Sequence, residues 1–263
     1  MIFAFIKPGW HFPVILNFWG WHVPIHPVCD ILAYFLGFRL YLLLKKCAPG
    51  PRLSSEQNAW IFVGCIFGAL IGAKLLAWME APGLYWALRN DPNFWFGGKT
   101  IVGGLLGGWM GIALAKKIMG VTSSTGDLCV YPLILGMCIG RIGCFLTGLS
   151  DATCGTRTNL PWGVDYGDGI PRHPAQIYEI LFLIALGTVL WIKRASLTTP
   201  GLKFRWFMVS YLAFRFYIDF FKPHWTLFGC LSGIQWGCLL ALIFCAYSLM
   251  KLSEQPDPEN SHV

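Results

Sequence analysis

Residues 174 to 191 read Pro174-Ala175-Gln176-Ile177-Tyr178-Glu179-Ile180-Leu181-Phe182-Leu183-Ile184-Ala185-Leu186-Gly187-Thr188-Val189-Leu190-Trp191. After a polar opening turn the run is apolar, and Glu179 is its one charged side chain. A helix rises about 1.5 Å per residue, so about 20 such residues cross a hydrocarbon core of roughly 30 Å. This stretch therefore reads as a membrane span. Working outward, six more runs share its character: approximately Pro24 to Leu44, Ala59 to Trp78, Thr100 to Met119, Gly126 to Thr147, Leu202 to Phe221 and Leu227 to Met250. The expected fold is an all-α integral membrane protein with about seven transmembrane helices. The third and fourth runs in chain order are Gly-rich, so six spans plus a re-entrant segment is the alternative count.

Composition agrees. Only 13% of the 263 residues are charged and 56% are hydrophobic, against roughly 25% charged in soluble proteins. Mean hydropathy is +0.56. The 13 Trp, 20 Phe and 30 Gly suit a bundle whose helices approach closely and whose aromatics sit at the interfaces. A soluble domain, a disordered chain and a collagen-like chain are excluded. The net charge of +7 is spread over short loops flanking apolar segments, not gathered in a patch, so nucleic acid is not an expected partner. Of the ten cysteines, Cys29, Cys65, Cys138, Cys144, Cys238 and Cys245 lie in apolar runs and read as buried thiols. Cys154 and Cys230 are placed to face an oxidising compartment, but nothing pairs them.

The basic loops orient the chain. Lys45, Lys46, Arg52, Lys116, Lys117, Lys193, Arg194, Lys203, Arg205 and Lys251 fall on one side; Lys7, Arg89, Lys99, Arg157, Arg172 and Lys222 fall on the other. That bias puts the N-terminus outside and the C-terminus in the cytoplasm. The 148–173 connection, with Asp151, Asp165 and Asp168, is then extracytoplasmic. Residues 1–252 read as a single polytopic membrane domain. Within it, 1–23 mixes aromatics with prolines and reads as an interfacial segment, a short helix lying on the outer leaflet. Residues 253–263 read as a disordered cytoplasmic tail. Lys7 precedes no small-residue cleavage site, so a removable signal peptide is not expected.

Removing the loop charges leaves Asp30, Arg39, Lys74, Arg141, Glu179, Arg215 and Asp219 in or near the spans. An ionisable group at membrane depth costs several kcal/mol unless paired or hydrated, so each is a functional hypothesis. Arg39 and Lys74 lie near helix ends, within reach of the interface. Arg215 and Asp219 are four apart and share a helix face, either as an internal ion pair or as a guanidinium held over a phosphate by its carboxylate. Arg141 has Gly140 and Gly143 beside it, which allows close approach of another backbone or of a ligand. Its partner is an anionic ligand or an acid on another helix. Pro174 suits a first helical turn, and Gln176, Tyr178 and Glu179 crowd polar groups at a membrane mouth.

Gly97-Gly98-Lys99-Thr100-Ile101-Val102-Gly103-Gly104-Leu105-Leu106-Gly107-Gly108 carries GxxxG spacing twice, which close helix packing explains. It is not a phosphate loop, because the full spacing of that motif, with a first glycine five positions ahead of the Gly-Lys-Thr, is not met: position 93 is Asn. A dinucleotide site is likewise absent, and no cofactor or metal is expected.

Four ordered strings carry a resemblance. They are Gly140-Arg141-Ile142-Gly143-x-Phe145, Pro161-Trp162-Gly163-Val164, Arg172-His173-Pro174-x-Gln176-x-Tyr178-Glu179, and Phe214-Arg215-Phe216 with Asp219 after it. In order and spacing they resemble the prolipoprotein diacylglyceryl transferase family, from about Tyr34-x-x-Gly37-Phe38 to Phe221. The resemblance implies a multi-pass enzyme of the bacterial plasma (inner) membrane. Such an enzyme moves a diacylglyceryl group from phosphatidylglycerol to the lipobox cysteine of a prolipoprotein, releasing glycerol phosphate. It implies phospholipid and prolipoprotein signal peptides as partners. It also implies Arg141, Arg215, Asp219 and Glu179 as catalytic positions, and Arg172, His173, Gln176, Tyr178, Gly103, Gly104, Gly140 and Gly143 as substrate-binding ones.

The chain departs from the family pattern at three places. Where the family has His-Gly-Gly, it reads Val102-Gly103-Gly104. Where the family has Asn-Phe-x-Asn-Gly-Glu, it reads Cys144-Phe145-Leu146-Thr147-Gly148-Leu149. The acid after Arg215 is Asp219, not Glu. Two readings follow: a transferase whose base is Glu179, Asp219, His26 or Asp30, or an altered homologue that binds anionic phospholipid or uses a different acceptor. A transporter fits less well, since no half-repeat is visible and the charges cluster toward one membrane face.

Overall fold

The computed structural model describes residues 12–18, 21–48, 53–91, 98–223 and 230–253. The start of the expected interfacial segment and the expected tail from 254 onward lie outside the described residues. The helices are α1 (Ile25–Cys47), α2 (Ser55–Glu80), α3 (Pro82–Ala87), α4 (Ile101–Ile118), α5 (Val130–Thr147), α6 (Ala175–Ile192), α7 (Leu202–Ile218) and α8 (Gly233–Ser253). Each of the seven apolar runs carries one long helix. Among the described residues, six helices are long and apolar enough to cross a membrane. The exception is α7, with 17 residues and the charges of Lys203, Arg205 and Arg215 along it. Phe35, Ile71, Leu181, Ile184, Leu240 and Phe244 are exposed on these helices. Rows of exposed large apolar side chains need lipid around them.

Where a short interfacial helix is expected before α1, the described residues form a hairpin instead. Strands β1 (Ile15–Phe18) and β2 (Trp21–Pro24) pair antiparallel, with Leu16 opposite Val23. Aromatic and branched residues favour extended backbone, and Pro13 and Pro24 supply no helical N–H. The hairpin is tied down where Val14 N–H donates to the Leu146 carbonyl at 2.9 Å.

The chain divides into two compact units. The first holds the hairpin, α1, α5, α6, the 148–173 connection and residues 220–223. Here α1 lies along α5 because small residues open the way: a Cβ at Gly143 would stand 2.7 Å from Cys29 Cβ, and one at Gly136 3.4 Å from the Ala33 oxygen. Val130, Ile134 and Met137 on α5 and Leu183, Leu186 and Leu190 on α6 are buried. In the 148–173 connection, β3 (Val164–Asp165) pairs with β4 (Pro171–Arg172). Asp165 fixes the turn between them by accepting from Gly167 N–H at 2.8 Å and Gly169 N–H at 3.0 Å.

The second unit holds α2, α3, α4, α7 and α8. The Ser54 hydroxyl and Gln57 side chain cap α2 reciprocally, each accepting the other's backbone N–H at 3.1 Å. Thr100 caps α4 by accepting from Gly103 N–H at 3.2 Å. Lys116 and Lys117 close the same helix, where cations suit the dipole. Gly120 then turns the chain at φ 65°, a conformation that favours glycine. The α2–α4 seam is glycine on glycine. A Cβ at Gly68 would strike the Gly107 carbonyl, one at Gly72 the Gly103 carbonyl, and one at Gly111 the Gly64 carbonyl. Of the two GxxxG pairs in the α4 string, Gly103 and Gly107 form this seam, with Gly64, Gly68 and Gly72 as its counterpart on α2, while Gly104 and Gly108 make only ordinary contacts.

Candidate functional site

In the first unit the informative charge is Arg141, in the last two turns of α5. It is 4% exposed, and Glu179 on α6 is 0% exposed. Arg141 Nε stands 2.9 Å from Glu179 Oε2. Of the two partners the sequence allows, the structure therefore provides the acid on another helix. Two ions buried together survive because each removes the other's desolvation cost, and taking away one partner costs about 3–5 kcal/mol. The flanking glycines do different work. Gly143 admits α1, while a Cβ at Gly140 would meet nothing within 4 Å.

Arg141 Nη1 also lies 3.7 Å from Cys144 Sγ. Cys144 Sγ stands 3.5 Å from His26 Nε2, which is 3.2 Å from Asp151 Oδ1. The other nitrogen, His26 Nδ1, is 3.1 Å from Asp30 Oδ2. His26 and Asp30 open α1, Cys144 is near the end of α5, and Asp151 ends the 3-10 turn after it. The sequence names His26 and Asp30 as possible bases, and the structure brings them together. Sequence reading misses Asp151, because it stands beyond the apolar run and 125 positions from its partner.

The string before α6 assembles a polar network beside the aromatic cluster of Phe12, Phe145 and Tyr166. Gln176 is 1% exposed. Its oxygen accepts from Tyr166 Oη at 3.1 Å, and its nitrogen donates to Thr153 Oγ1 at 3.1 Å. Trp162 Nε1 donates to Tyr178 Oη at 2.8 Å, and that hydroxyl shares a 3.2 Å hydrogen bond with His173 Nδ1. The His173 ring meets Phe221 edge-on at 5.2 Å. Arg172 is committed within the loop, to Asp168 at 2.8 Å and the Ile170 carbonyl at 3.2 Å. Two groups in the 148–173 connection are shifted: burial pushes both the Cys154 thiol and the Tyr166 hydroxyl above their ordinary values.

In the second unit Arg215 and Asp219 are both buried at the end of α7. Their nearest charged atoms are 3.9 Å apart, beyond hydrogen-bond length. Asp219 Oδ2 instead accepts from Ser232 Oγ at 2.5 Å. Ser232 and Gln235 cap α8 reciprocally, with Ser232 N–H donating to Gln235 Oε1 at 2.9 Å and Gln235 N–H to Ser232 Oγ at 3.0 Å. That S-x-x-Q pattern, a capping signal the sequence reading did not use, marks the start of α8. Glu80, which ends α2, accepts from Ile234 N–H at 2.8 Å in the same cap. Gly103 and Gly104 belong to this unit and lie in the α2–α4 seam. Val102, where the family pattern has histidine, is 1% exposed.

Apart from Gly103 and Gly104, which face α2, the structure places the singled-out site residues in three groups. Arg141, Glu179, Gly140 and Gly143 meet with the His26 cluster. Gln176, Tyr178, Arg172 and His173 organise the connection above α6. Arg215 and Asp219 stand in the second unit. Cys154 and Cys230 both stand as free thiols.

A profile of the prolipoprotein diacylglyceryl transferase family matches residues 13–252. Three similar proteins are each named phosphatidylglycerol-prolipoprotein diacylglyceryl transferase. That of Polynucleobacter asymbioticus is 33% identical over 240 residues, spanning 84% of this chain and 89% of its own length. That of Nitrosomonas europaea is 32% identical over 238 residues, spanning 84% and 83%. That of Idiomarina loihiensis is 30% identical over 257 residues, spanning 89% and 90%.

Proposed function

This chain belongs to the prolipoprotein diacylglyceryl transferase family, and from that premise we propose that it moves a diacylglyceryl group from phosphatidylglycerol to a prolipoprotein cysteine. The sulfur forms a bond to the glycerol carbon, the carbon–oxygen bond to phosphate breaks, and glycerol phosphate leaves. The thiol proton is given up on the way. The site is proposed to lie at the outer side of the bacterial inner membrane, with the N-terminus outside.

The observation that carries this reading is Arg141 buried against Glu179 at 2.9 Å. Glu179 holds the guanidinium from its Nε side, so a fixed fork, always protonated, meets the charge that develops on the leaving phosphate. Arg215, in the second unit, is proposed to bind a phospholipid phosphate. Gln176, Tyr178 and His173 are proposed to shape the substrate mouth. Thiol activation does not fall to the third span, where Val102 replaces histidine. Glu179 is committed to Arg141 and Asp219 to Ser232. Activation is therefore assigned to the cluster around His26.

The changes at Val102, Cys144 and Leu149 favour a second reading, in which the site binds anionic phospholipid but uses another acceptor or none. One experiment separates the two. Purified protein is mixed with phosphatidylglycerol vesicles and a lipobox peptide, and the peptide mass is followed. A diacylglyceryl mass on the cysteine supports the transferase. An unmodified peptide, with phospholipid still co-purifying, supports the second reading.

A further inference from the structure

Three potential metal ligands converge in the first unit. His26 Nε2, Cys144 Sγ and an Asp151 carboxylate oxygen all lie within 4.8 Å of one another. We propose that they form a zinc site with three protein ligands and one open position.

The distances carry the proposal. With Zn–N and Zn–O of about 2.0 Å and Zn–S of about 2.3 Å, tetrahedral geometry sets ligand atoms about 3.3 Å (N to O) and about 3.6 Å (N to S) apart. The corresponding separations here are 3.2 Å from His26 Nε2 to Asp151 Oδ1 and 3.5 Å from His26 Nε2 to Cys144 Sγ. The outer contacts are those a metal site uses. Asp30 sits 3.1 Å from His26 Nδ1, which places the proton on that nitrogen and aims the Nε2 lone pair at the cluster. Thr153 donates its hydroxyl to the other Asp151 oxygen at 2.5 Å.

Charge points the same way. One imidazole faces Asp30 on one nitrogen, and Asp151 with the Cys144 sulfur on the other. A ring that donates its single N–H to Asp30 leaves its Nε2 lone pair facing the Asp151 oxygen at 3.2 Å. A divalent cation removes that conflict and offsets the charge of a thiolate and two carboxylates. Arg141 Nη1 reaches the sulfur at 3.7 Å, but its charge is shared with Glu179 at 2.9 Å. The ligand set of imidazole, thiolate and carboxylate suits zinc better than the hard cations. His26 and Asp151 side chains are 27% and 16% exposed, so an ion can reach them.

Three protein ligands and an open position characterise reactive zinc sites. A thiol taking that position gives its proton to solvent and remains as zinc-bound thiolate. This last consequence rests on the transferase reading; the zinc site itself does not.

The test uses full-length protein purified in detergent without a histidine tag, stripped with chelator and reloaded with Zn2+ or Co2+. The expected result is one metal per chain, with Co2+ giving a sulfur-to-metal charge-transfer band. Cys144→Ser abolishes the band, and His26→Gln and Asp151→Asn bring bound zinc to background. Asp30→Asn weakens zinc binding about 10- to 100-fold, and Cys47→Ser, at an exposed thiol, changes nothing. Wild-type protein that holds no zinc above the metal-free buffer after reloading, or binds Co2+ without the band, overturns the proposal. Both readouts on wild-type protein stand whether or not a variant folds, and whether or not transfer is detected.

Discussion

Glu179 on α6 sets its Oε2 2.9 Å from Nε of Arg141 on α5, with both side chains buried. This contact joins two sequence strings that each resemble the family, and it pins the two helices at one depth. A single substitution, Arg141→Met or Glu179→Leu, is expected to cost about 3–5 kcal/mol, since it strands a buried charge. The double variant recovers most of that loss but not transfer. Thermal unfolding in detergent measures the cycle, and a double variant less stable than either single one would show that the pair does not act as a unit.

The α2–α4 seam makes a steric prediction. A Cβ at Gly107 would meet the Gly68 carbonyl, whereas one at Gly104 has its nearest neighbours at 3.9 Å. Gly107→Val is expected to destabilise by about 1–3 kcal/mol or more. Gly104→Ala is expected to be neutral or stabilising by up to about 1 kcal/mol. Equal losses in unfolding temperature for the two would contradict the packing.

Cys154 and Tyr166 are acids held neutral by burial, with values raised in the folded chain. Unfolded, they lose protons near about 8.5 and about 10. Above about pH 8.5 the unfolded state therefore binds fewer protons than the folded one, and stability falls as pH rises. Their contribution is full below that pH and is lost on the way up through the raised folded values. In native protein near pH 8, alkylation is expected at the exposed Cys47 and Cys230 and not at Cys154. Cys154 labelling at the same rate would contradict the burial.

Val102→His restores the family pattern at one position only. Val102 is 1% exposed, and an imidazole there needs a partner the site was not built to offer, at a cost of about 1–3 kcal/mol. The variant is expected neither to gain transfer activity nor to complement a strain depleted of the usual enzyme. Complementation by that single change would show that the other departures are unimportant.

The helices were legible because each is an apolar run of membrane-crossing length, and the α4 glycines announced their own seam. The hairpin at 15–24 was not, because its aromatic and branched residues suit an interfacial helix as readily as a short strand pair. The buried charges were found one by one, yet spacing alone pairs only neighbours. It joins Arg215 to Asp219, which the structure holds 3.9 Å apart while Ser232 takes the carboxylate. It cannot join Arg141 to Glu179, nor His26 to Cys144 across 118 positions. Those contacts come from α1 and α6 flanking α5, a tertiary fact with no local period.

The most direct measurement is the transfer assay on wild-type and Arg141→Ala protein side by side, in phosphatidylglycerol vesicles with a lipobox peptide read by mass spectrometry. Wild-type protein is predicted to add a diacylglyceryl mass to the cysteine, and Arg141→Ala to lose at least about 100-fold in rate, the scale for removing a positioned charge donor. Transfer at an undiminished rate by Arg141→Ala, or no transfer by the wild-type chain, would contradict the account.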